Sequence, residues 1–378
     1  MVNSQRVTSD SLVSIFSCHK PSNMAFCISY FLGVLLASQS SQAWTSSASQ
    51  RRGLPSGLSM STSSPFDVLS KTSVVNPNRG SSCLAVDDAF LGKNFFSKGC
   101  KALVVVMPQL GDFESAEYAE FLVSILPDLK RANINLRIIG IGDAGTAKKF
   151  SSFTGLPIDL IRVDPTGNLH DLLGCARGPN WEVPSFLPEG LLQWFAAEVG
   201  AGNDLDITTA REVARSWLNY MAMCAGVAAP GTLPEILRGY LGDKSAPERL
   251  RDDEVVTAGP ISVKGVKDVK IGPIEYQSLW KNEKGYQRPA ELATVRLRAM
   301  VEVLSNFEEY VPDQRHLDWR GATFLFDGQG EVEYTYRNKG VLTYSASMSR
   351  PLSFLAPYIG EERARNPLGL PDPLLMNP

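Results

Sequence analysis

One stretch of the chain constrains the fold more than any other: Lys101–Met107, which reads KALVVVM. A strand that is apolar at almost every position must be covered on both faces, as strands are in the middle of a parallel sheet. Two further strands are predicted at Ile134–Ile141 and Leu160–Asp164, with helical segments between them. Because strands and helices alternate, the sequence predicts an α/β fold with a parallel sheet.

Helical spacing extends over Glu114–Arg131, where Pro127 is expected to kink or shorten the helix because proline has no backbone N–H. Four other patterns predict local elements: a short helix at Gly145–Phe153, a turn and helix at Asp164–Gly174, a β-hairpin at Ala322–Asn338 that turns around Gly328–Gly330, and a helical segment at Ser345–Tyr358.

Changes in composition divide the chain into six predicted regions: a targeting leader (1–64), a linker rich in Ser, Asn and Gly (65–95), the first half of the main domain (96–178), a mainly helical insertion (179–312), the second half of the domain (313–360) and a tail (361–378). Within the insertion, helices are predicted at Thr208–Cys224, after the capping box TLPE at Thr232–Glu235, and at Pro289–Tyr310. Their apolar stripes are interpreted as core rather than as a cofactor pocket.

The leader combines two targeting patterns. Met24–Ala43 holds an apolar run, Ala25–Ala37, which is broken only by Ser29 and has the length of a signal-peptide core. The segment after Trp44 is rich in serine, carries two arginines and has no acidic residue up to residue 64, as in transit peptides. This order resembles the bipartite leaders of algae with secondary plastids and predicts a plastid protein, with the stroma as its expected compartment. Plain secretion or a short membrane anchor is the alternative.

Composition excludes several classes of site. A formal net charge of −3, with no basic stripe interleaved with aromatics, gives no reason to expect nucleic acid as a partner. The chain has three histidines and six cysteines, but no His/Cys spacing typical of zinc and no C-x-x-C pair. We therefore predict no metal, no cofactor and no stable membrane span in the mature chain, and the cysteines beyond the leader are interpreted as buried small hydrophobic residues.

Four strings carry a family resemblance: VVVMP before a turn and helix, IIGIGD at a strand end, VDPTGNLHDLLG, and RGATFLFDGQGEV. They resemble the AhpC/TSA-like, or peroxiredoxin-like, proteins over roughly residues 95–178 and 318–358. The resemblance implies a thioredoxin-like fold, a central mixed sheet flanked by helices. The long helical insertion has no counterpart in ordinary peroxiredoxins and is similar to a cyanobacterial and plastid branch of the family.

The resemblance also locates a site. Peroxiredoxins carry P-x-x-x-T-x-x-C at the first strand–helix turn; here Pro108 is retained, while Asp112 and Ser115 stand at the Thr and Cys positions. Because peroxide reduction needs a thiolate, ordinary peroxidase chemistry is not expected at this turn. Asp112 is predicted to cap the helix, with Ser115 at its third position. The family's arginine aligns with Gly321, so Arg320 is a candidate one residue out of register.

Three other hypotheses remain open. A relocated thiol at Cys224 or Cys175 would make the protein a thiol-dependent antioxidant enzyme or oxidoreductase. GIGDAG, with Asp164 about twenty residues later, matches a nucleotide-binding fingerprint. A Ser115–His170–Asp triad is conceivable but lacks a nucleophile-elbow pattern. The preferred prediction is a binding or scaffold module of the plastid without conventional peroxidase chemistry, whose partner the sequence does not identify.

Overall fold

The structure is a computed structural model, and it describes residues 64–92, 95, 99–224, 269–271, 274–276, 299, 302–346, 351–365 and 367. These residues fall into two compact units, one formed by 182–218 and the other by the rest of the described chain. The leader up to residue 63 and the predicted capping box at Thr232–Glu235 lie outside the described residues. None of the described helices is long and apolar enough to cross a membrane.

Strands of the described chain are β1 (Ser73–Asn76), β2 (Ser81–Leu84), β3 (Lys101–Gln109), β4 (Ile134–Ile141), β5 (Ile161–Val163), β6 (Val269–Ile271), β7 (Ile274–Tyr276), β8 (Ala322–Phe326) and β9 (Val332–Arg337). Seven of them form one sheet in the order β2-β1-β5-β4-β3-β8-β9, and β6 pairs with β7 separately. Neighbours among β3, β4 and β5 are parallel, and the other pairs are antiparallel. The predicted mixed sheet of a thioredoxin-like fold is confirmed.

β3 lies inside the sheet, between β4 and β8, and is buried at every position after Lys101. Val104 pairs with Arg137 on one side and with Phe324 on the other. This is the environment that its apolar sequence predicts. The pairing with β4 becomes irregular between Val106 and Gln109, where Pro108 cannot donate to the ladder.

The helices are α1 (Pro65–Lys71), α2 (Asp88–Leu91), α3 (Phe113–Ser124), α4 (Leu126–Arg131), α5 (Ala144–Thr154), α6 (Asn168–Leu172), α7 (Glu189–Glu198), α8 (Ile207–Cys224), α9 (Phe307–Tyr310), α10 (Ala356–Ile359) and α11 (Glu361–Arg365), with 3₁₀ turns at Ile158–Leu160, Gln314–His316 and Ser353–Leu355. The predicted helix at Glu114–Arg131 is divided at Ile125, directly before the turn that contains Pro127. Proline is tolerated there because the first N–H groups of a helix have no partner within it.

The prediction that 65–95 is a linker is wrong. Most of this segment forms α1, β1, β2 and α2, and its apolar residues Leu69, Val74 and Phe95 join the core on one face of the sheet. Its elements are four to seven residues long. Elements this short show too few turns of a periodic pattern to be recognised in a polar sequence, and tertiary packing stabilises them.

The C-terminal prediction also needs correction. Helical structure begins at Ser353 instead of Ser345, and it continues through α11 into the predicted tail. Pro351 and Pro357 both fall in the predicted helix and prevent one continuous helix. Arg363 ties α11 to α4, with its Nε 2.7 Å from Asp128 Oδ2.

The insertion is partly described. The predicted helix at Thr208–Cys224 is confirmed as α8, whereas α7 and the β6–β7 hairpin were not predicted. Most of the helix predicted at Pro289–Tyr310 lies outside the described residues, and α9 forms its end. Within the 182–218 unit, Arg211 Nη1 donates to the carbonyls of Val183 and Pro184 at 3.3 and 3.2 Å.

Candidate functional site

The turn between β3 and α3 presents the residues that align with the peroxiredoxin motif. Asp112 caps α3, and its Oδ1 accepts a hydrogen bond from the Glu114 N–H at 3.2 Å, as predicted. Ser115 stands at the third helical position, but its hydroxyl donates to the Gln109 carbonyl at 2.8 Å instead of serving a free N–H. Both side chains are buried. Their polar atoms therefore hold the turn together.

A buried ionic cluster lies at the start of α3. Arg320 Nη1 is 2.9 Å from Asp112 Oδ2 and 3.3 Å from Glu114 Oε1. Its Nη2 donates to the Leu317 carbonyl at 3.0 Å. All three charged side chains are almost completely buried, so each depends on the others for compensation of its charge. The structure thus brings Arg320 to the predicted turn despite its shift in register.

The packing around Gly321 explains why the guanidinium does not come from position 321. A Cβ at Gly321 would lie 2.2 Å from the Val106 carbonyl oxygen and 3.1 Å from Pro108 Cδ. No side chain fits there unless the backbone of β3 moves. An arginine aligned with the family pattern is therefore excluded by the close approach of these two segments.

Glu114 is a member of the cluster that sequence reasoning missed. Its Oε1 accepts from Asn338 Nδ2 at 3.1 Å, and its Oε2 accepts from the backbone N–H groups of Leu342 and Thr343. Burial, and next the charge of Asp112, raise the pKa of Glu114 to about 7, against the opposing effect of Arg320. The one available signal was an acidic residue directly after Phe113, two positions beyond the N-cap Asp112.

A small cavity opens beside the turn. Its volume is about 10 Å³, and its lining includes Pro108, Glu114, Ser115, Tyr118 and Thr323. Such a volume holds roughly one water molecule. The space next to the Ser115 hydroxyl therefore does not accommodate a larger substrate without movement of the surrounding side chains.

The end of the insertion covers the same turn. A Cβ at Gly111 would lie 2.7 Å from Tyr310 Cβ, so glycine is needed for this close approach. Gln109 Nε2 donates to the Asp313 carbonyl at 2.8 Å, and Thr146 Oγ1 donates to the Glu309 carbonyl at 2.8 Å. The insertion thus contributes to the stability of the β3–α3 turn and restricts access to it.

The two candidate thiols occupy different environments. Cys175 is 8% exposed in the hydrophobic core, and burial raises the pKa of its thiol to about 12. Cys224, partly exposed at the end of α8, also has a pKa raised to about 12, first by burial and then by the charge of Asp112. Both thiols are therefore protonated at neutral pH, and protonated thiols react slowly with peroxide.

Cys224 nevertheless lies near the ionic cluster. Its thiol is hydrogen-bonded to Tyr220, and the charge of Arg320 acts on it in the direction that lowers its pKa. The Arg320 guanidinium lies 5.5 Å from the centre of the Tyr220 ring. The structure thus brings Cys224 into the neighbourhood of Asp112 and Arg320, whereas the cation that acts on the Cys175 thiol is Arg337.

The conceivable Ser115–His170–Asp triad is not formed. His170 Nε2 lies 2.7 Å from the Met107 carbonyl, so this nitrogen carries the proton, and burial lowers the pKa of the ring to about 4. Asp164 Oδ1 accepts from the Thr166 N–H at 3.0 Å, and its Oδ2 accepts from the Leu169 N–H at 2.8 Å. The three side chains therefore serve separate structural roles.

The GIGDAG fingerprint also has roles within the fold. Asp143 caps α5, with its Oδ1 accepting from the Thr146 N–H at 2.8 Å. A Cβ at Gly140 would lie 2.4 Å from Leu110 Cδ2, so packing requires this glycine. Since Asp164 is engaged by its own turn, no carboxylate is left for a ribose. In the described part of the chain, no cluster of three or more potential metal ligands occurs.

Comparison with known proteins adds the family. A family model described as AhpC/TSA antioxidant enzyme matches residues 121–340, which is more than half of the chain. The chain belongs to the AhpC/TSA antioxidant enzyme family. The matched residues of this AhpC/TSA protein include the insertion and begin after Ser115. No curated protein and no solved structure matches it.

Proposed function

We propose that this AhpC/TSA-family protein is a binding or scaffold module of a plastid that does not reduce peroxide at the β3–α3 turn. The observation that carries the proposal is the buried ion pair between Arg320 and Asp112, at 2.9 Å. An arginine that supports a thiolate must keep its positive charge available to it. Here that charge is balanced by Asp112 and Glu114, and a serine stands where the thiol would be.

The chemistry of the substituted residues supports the same proposal. Peroxide reduction requires a thiolate that attacks the O–O bond and becomes a sulfenic acid. The Ser115 hydroxyl has no such oxidation states, and it donates its proton to the Gln109 carbonyl. Asp112 would repel any anion that developed beside it.

A binding module also needs a surface. In the 182–218 unit, Phe186 is 68% exposed and Trp194 is 39% exposed. Aromatic side chains bury a large area on association and are enriched at the energetic centres of protein interfaces. We infer that this unit contacts a protein partner, and the net charge of −3 argues against nucleic acid as that partner.

The proposal is tested by titrating the reduced full-length chain with hydrogen peroxide while free thiol and sulfenic acid are measured. We expect slow oxidation with no stoichiometric phase. Cys224→Ser and Cys175→Ser are the informative variants, and Cys100→Ser is the matched control because Cys100 directly precedes β3, at the opposite end of that strand from the turn residues. Rapid oxidation of one equivalent of thiol that either informative variant abolishes, and the control does not, overturns the proposal.

The second candidate function is a thiol-dependent oxidoreductase that uses Cys224. The observation in its favour is that Cys224 is bonded to Tyr220 and is influenced by Arg320, which gives it a partner for a developing thiolate. If this function holds, Asp112→Asn should accelerate oxidation of Cys224, because the substitution removes the negative charge that raises the thiol pKa. An unchanged rate supports the binding module.

The plastid is proposed as the compartment on the pattern of the first 64 residues. Its test is a fluorescent fusion of residues 1–70 expressed in an alga with a secondary plastid. Import into the plastid is the expected result. Secretion of the fusion, or its retention in the endoplasmic reticulum, would overturn the plastid proposal and assign the protein to the secretory pathway.

A further inference from the structure

Two buried arginines lie side by side on the sheet, away from the β3–α3 turn. Arg162 of β5 is 8% exposed, and Arg137 of β4 is 3% exposed. Arg162 pairs in register with Ile139, and Arg137 stands two residues before Ile139 on the same strand. Because side chains alternate between faces along a strand, both arginines project from the same face of the sheet.

Several of their N–H groups have no partner. Arg137 Nε, Arg137 Nη1 and Arg162 Nε are buried without a hydrogen bond. The remaining contacts of Arg162 go to its own segment, where Nη1 donates to the carbonyls of Asp159 and Ile161 at 2.9 and 2.7 Å. A buried donor without an acceptor costs about 1–3 kcal/mol, more when it is charged, and arginine does not lose its proton in proteins. The pair therefore requires an acceptor.

The local charge is also unbalanced. Among the described residues, Asp87 is the one carboxylate that pairs with either guanidinium, with its Oδ1 3.5 Å from Arg137 Nη2. The same oxygen already accepts the Phe90 N–H at 2.7 Å, as the N-cap of α2. Arg137 thus has one already occupied carboxylate at 3.5 Å, and the acceptors of Arg162 Nη1 are backbone carbonyls. Burial, and then the charge of Arg162, lower the pKa of Arg137 to about 10, as expected for an uncompensated cation.

Three partly exposed residues at α2 and β2 lie next to Arg137. The Phe90 ring lies over the Arg137 guanidinium at 4.5 Å, and the Cys83 thiol is close enough to act on it electrostatically. Phe90, Cys83 and Asp87 are each partly exposed. The unpartnered donors therefore lie behind partly exposed residues of α2 and β2 and are shielded from solvent. An ion that reaches them would have to pass between these residues.

We propose that Arg137 and Arg162 bind a small tetrahedral oxyanion of the phosphate and sulfate class. Guanidinium groups present parallel N–H donors whose spacing matches two oxygens of such an anion. One oxyanion would supply acceptors to the three unpartnered N–H groups and offset the excess positive charge. The source is either the free ion or the phosphate group of a larger molecule.

The test is isothermal titration of the full-length chain with inorganic phosphate at constant ionic strength, set by chloride. Saturable binding is expected, reduced at least tenfold in Arg162→Gln. Asp87→Asn keeps the cap on α2 but removes the competing charge, so it should bind phosphate roughly tenfold more tightly. Asp88→Asn is the matched control, because Asp88 is adjacent but exposed, and its affinity should equal that of the unmodified chain.

Phenyl phosphate serves as a second titrant. Tighter binding than inorganic phosphate identifies a phosphate ester as the source, and weaker binding identifies the free ion. The proposal is overturned by the absence of saturable binding, or by an affinity that neither Arg162→Gln nor Asp87→Asn changes. Because these variants do not involve Cys175, Cys224 or the turn, the result is independent of the peroxide experiment.

Discussion

Arg320 and Asp112 are separated by 208 positions in the sequence, yet their guanidinium and carboxylate groups meet at 2.9 Å in a site closed to solvent. The contact joins the last residues before β8 to the first turn of α3. It also places the arginine of this AhpC/TSA-family protein on an aspartate instead of leaving it for a thiolate. The proposed absence of peroxidase chemistry at this turn rests on this pair and on the serine at position 115.

Replacing Arg320 should show how much the buried ionic cluster stabilises the protein. Arg320→Met keeps the approximate volume but leaves Asp112 and Glu114 buried without a cation. We expect the free energy of unfolding, measured by urea denaturation, to fall by about 3–5 kcal/mol. The control is Lys149→Met, which breaks the more exposed pair with Glu309 at 2.8 Å and should cost about 1 kcal/mol or less. Equal losses for the two variants would contradict a buried ionic cluster.

Glu114 should make stability depend on pH. Its pKa is raised from 4.5 to about 7 in the folded protein, so between these values the folded state binds more protons than the unfolded state. The stabilising contribution is therefore complete below about pH 4.5 and is lost as the pH rises through 7. Glu114→Gln should remove this slope.

The measurement is the free energy of unfolding from pH 4 to pH 8 for both proteins. The difference between the two profiles isolates Glu114, since all other titrating groups are shared. A difference that stays constant with pH would show that the pKa of Glu114 is the same in the folded and unfolded states.

His170 should remain neutral well below its usual pKa. Burial lowers the pKa of the ring from 6.5 to about 4, so the folded state binds fewer protons than the unfolded state between these values. Its contribution to stability is complete above about pH 6.5 and is lost as the pH falls through 4. The C2 proton resonance of His170, assigned with His170→Gln, should show no titration between pH 5 and pH 8. A midpoint near 6.5 would contradict the buried bond to Met107.

Gly321 should tolerate no side chain. Gly321→Ala places a Cβ 2.2 Å from the Val106 carbonyl oxygen. Overpacking of this kind costs about 1–3 kcal/mol or more. Gly190→Ala is the matched control, because a Cβ at this helical position meets no atom within 4 Å. That variant should be stabilised by about 0.5–1 kcal/mol. Thermal unfolding of the two variants should therefore shift in opposite directions.

Local pattern predicted the central elements well. β4 has the bounds that its apolar run indicates, β3 extends two residues beyond its predicted end, and the hairpin of β8 and β9 lies within its predicted range. The capping role of Asp112 was also predictable, since it needs only the residues of one helical turn. In contrast, the segment at 65–92 and the start of the last helices were missed, because their patterns are short or interrupted by proline. The helix α7 was also not predicted.

The residues of the candidate site also divide into those that the local sequence predicted and those that it did not. Asp112, Ser115 and Pro108 were found from a local motif, and Arg320 was found only as a candidate out of register. Its guanidinium reaches Asp112 across 208 positions of the sequence, a contact that no local pattern predicts. The partnership of Glu114 with Asn338 and the lack of acceptors for Arg137 Nε and Nη1 could not be inferred from the sequence, because the neighbours of these groups come from distant segments.

Residue types within a few positions were enough to predict the alternating elements, the apolar central strand, the helix cap at Asp112 and the absence of a thiol at Ser115. Which charges meet follows from the folded structure: Arg320 pairs with Asp112, Glu114 is buried beside them, and Arg137 and Arg162 lie on one face of the sheet. Among the described residues, Asp87 is the one carboxylate that pairs with either of these two arginines. The physical reason is that ionic and hydrogen-bonding partners are set by distance in space, and the register and packing of the sheet determine those distances.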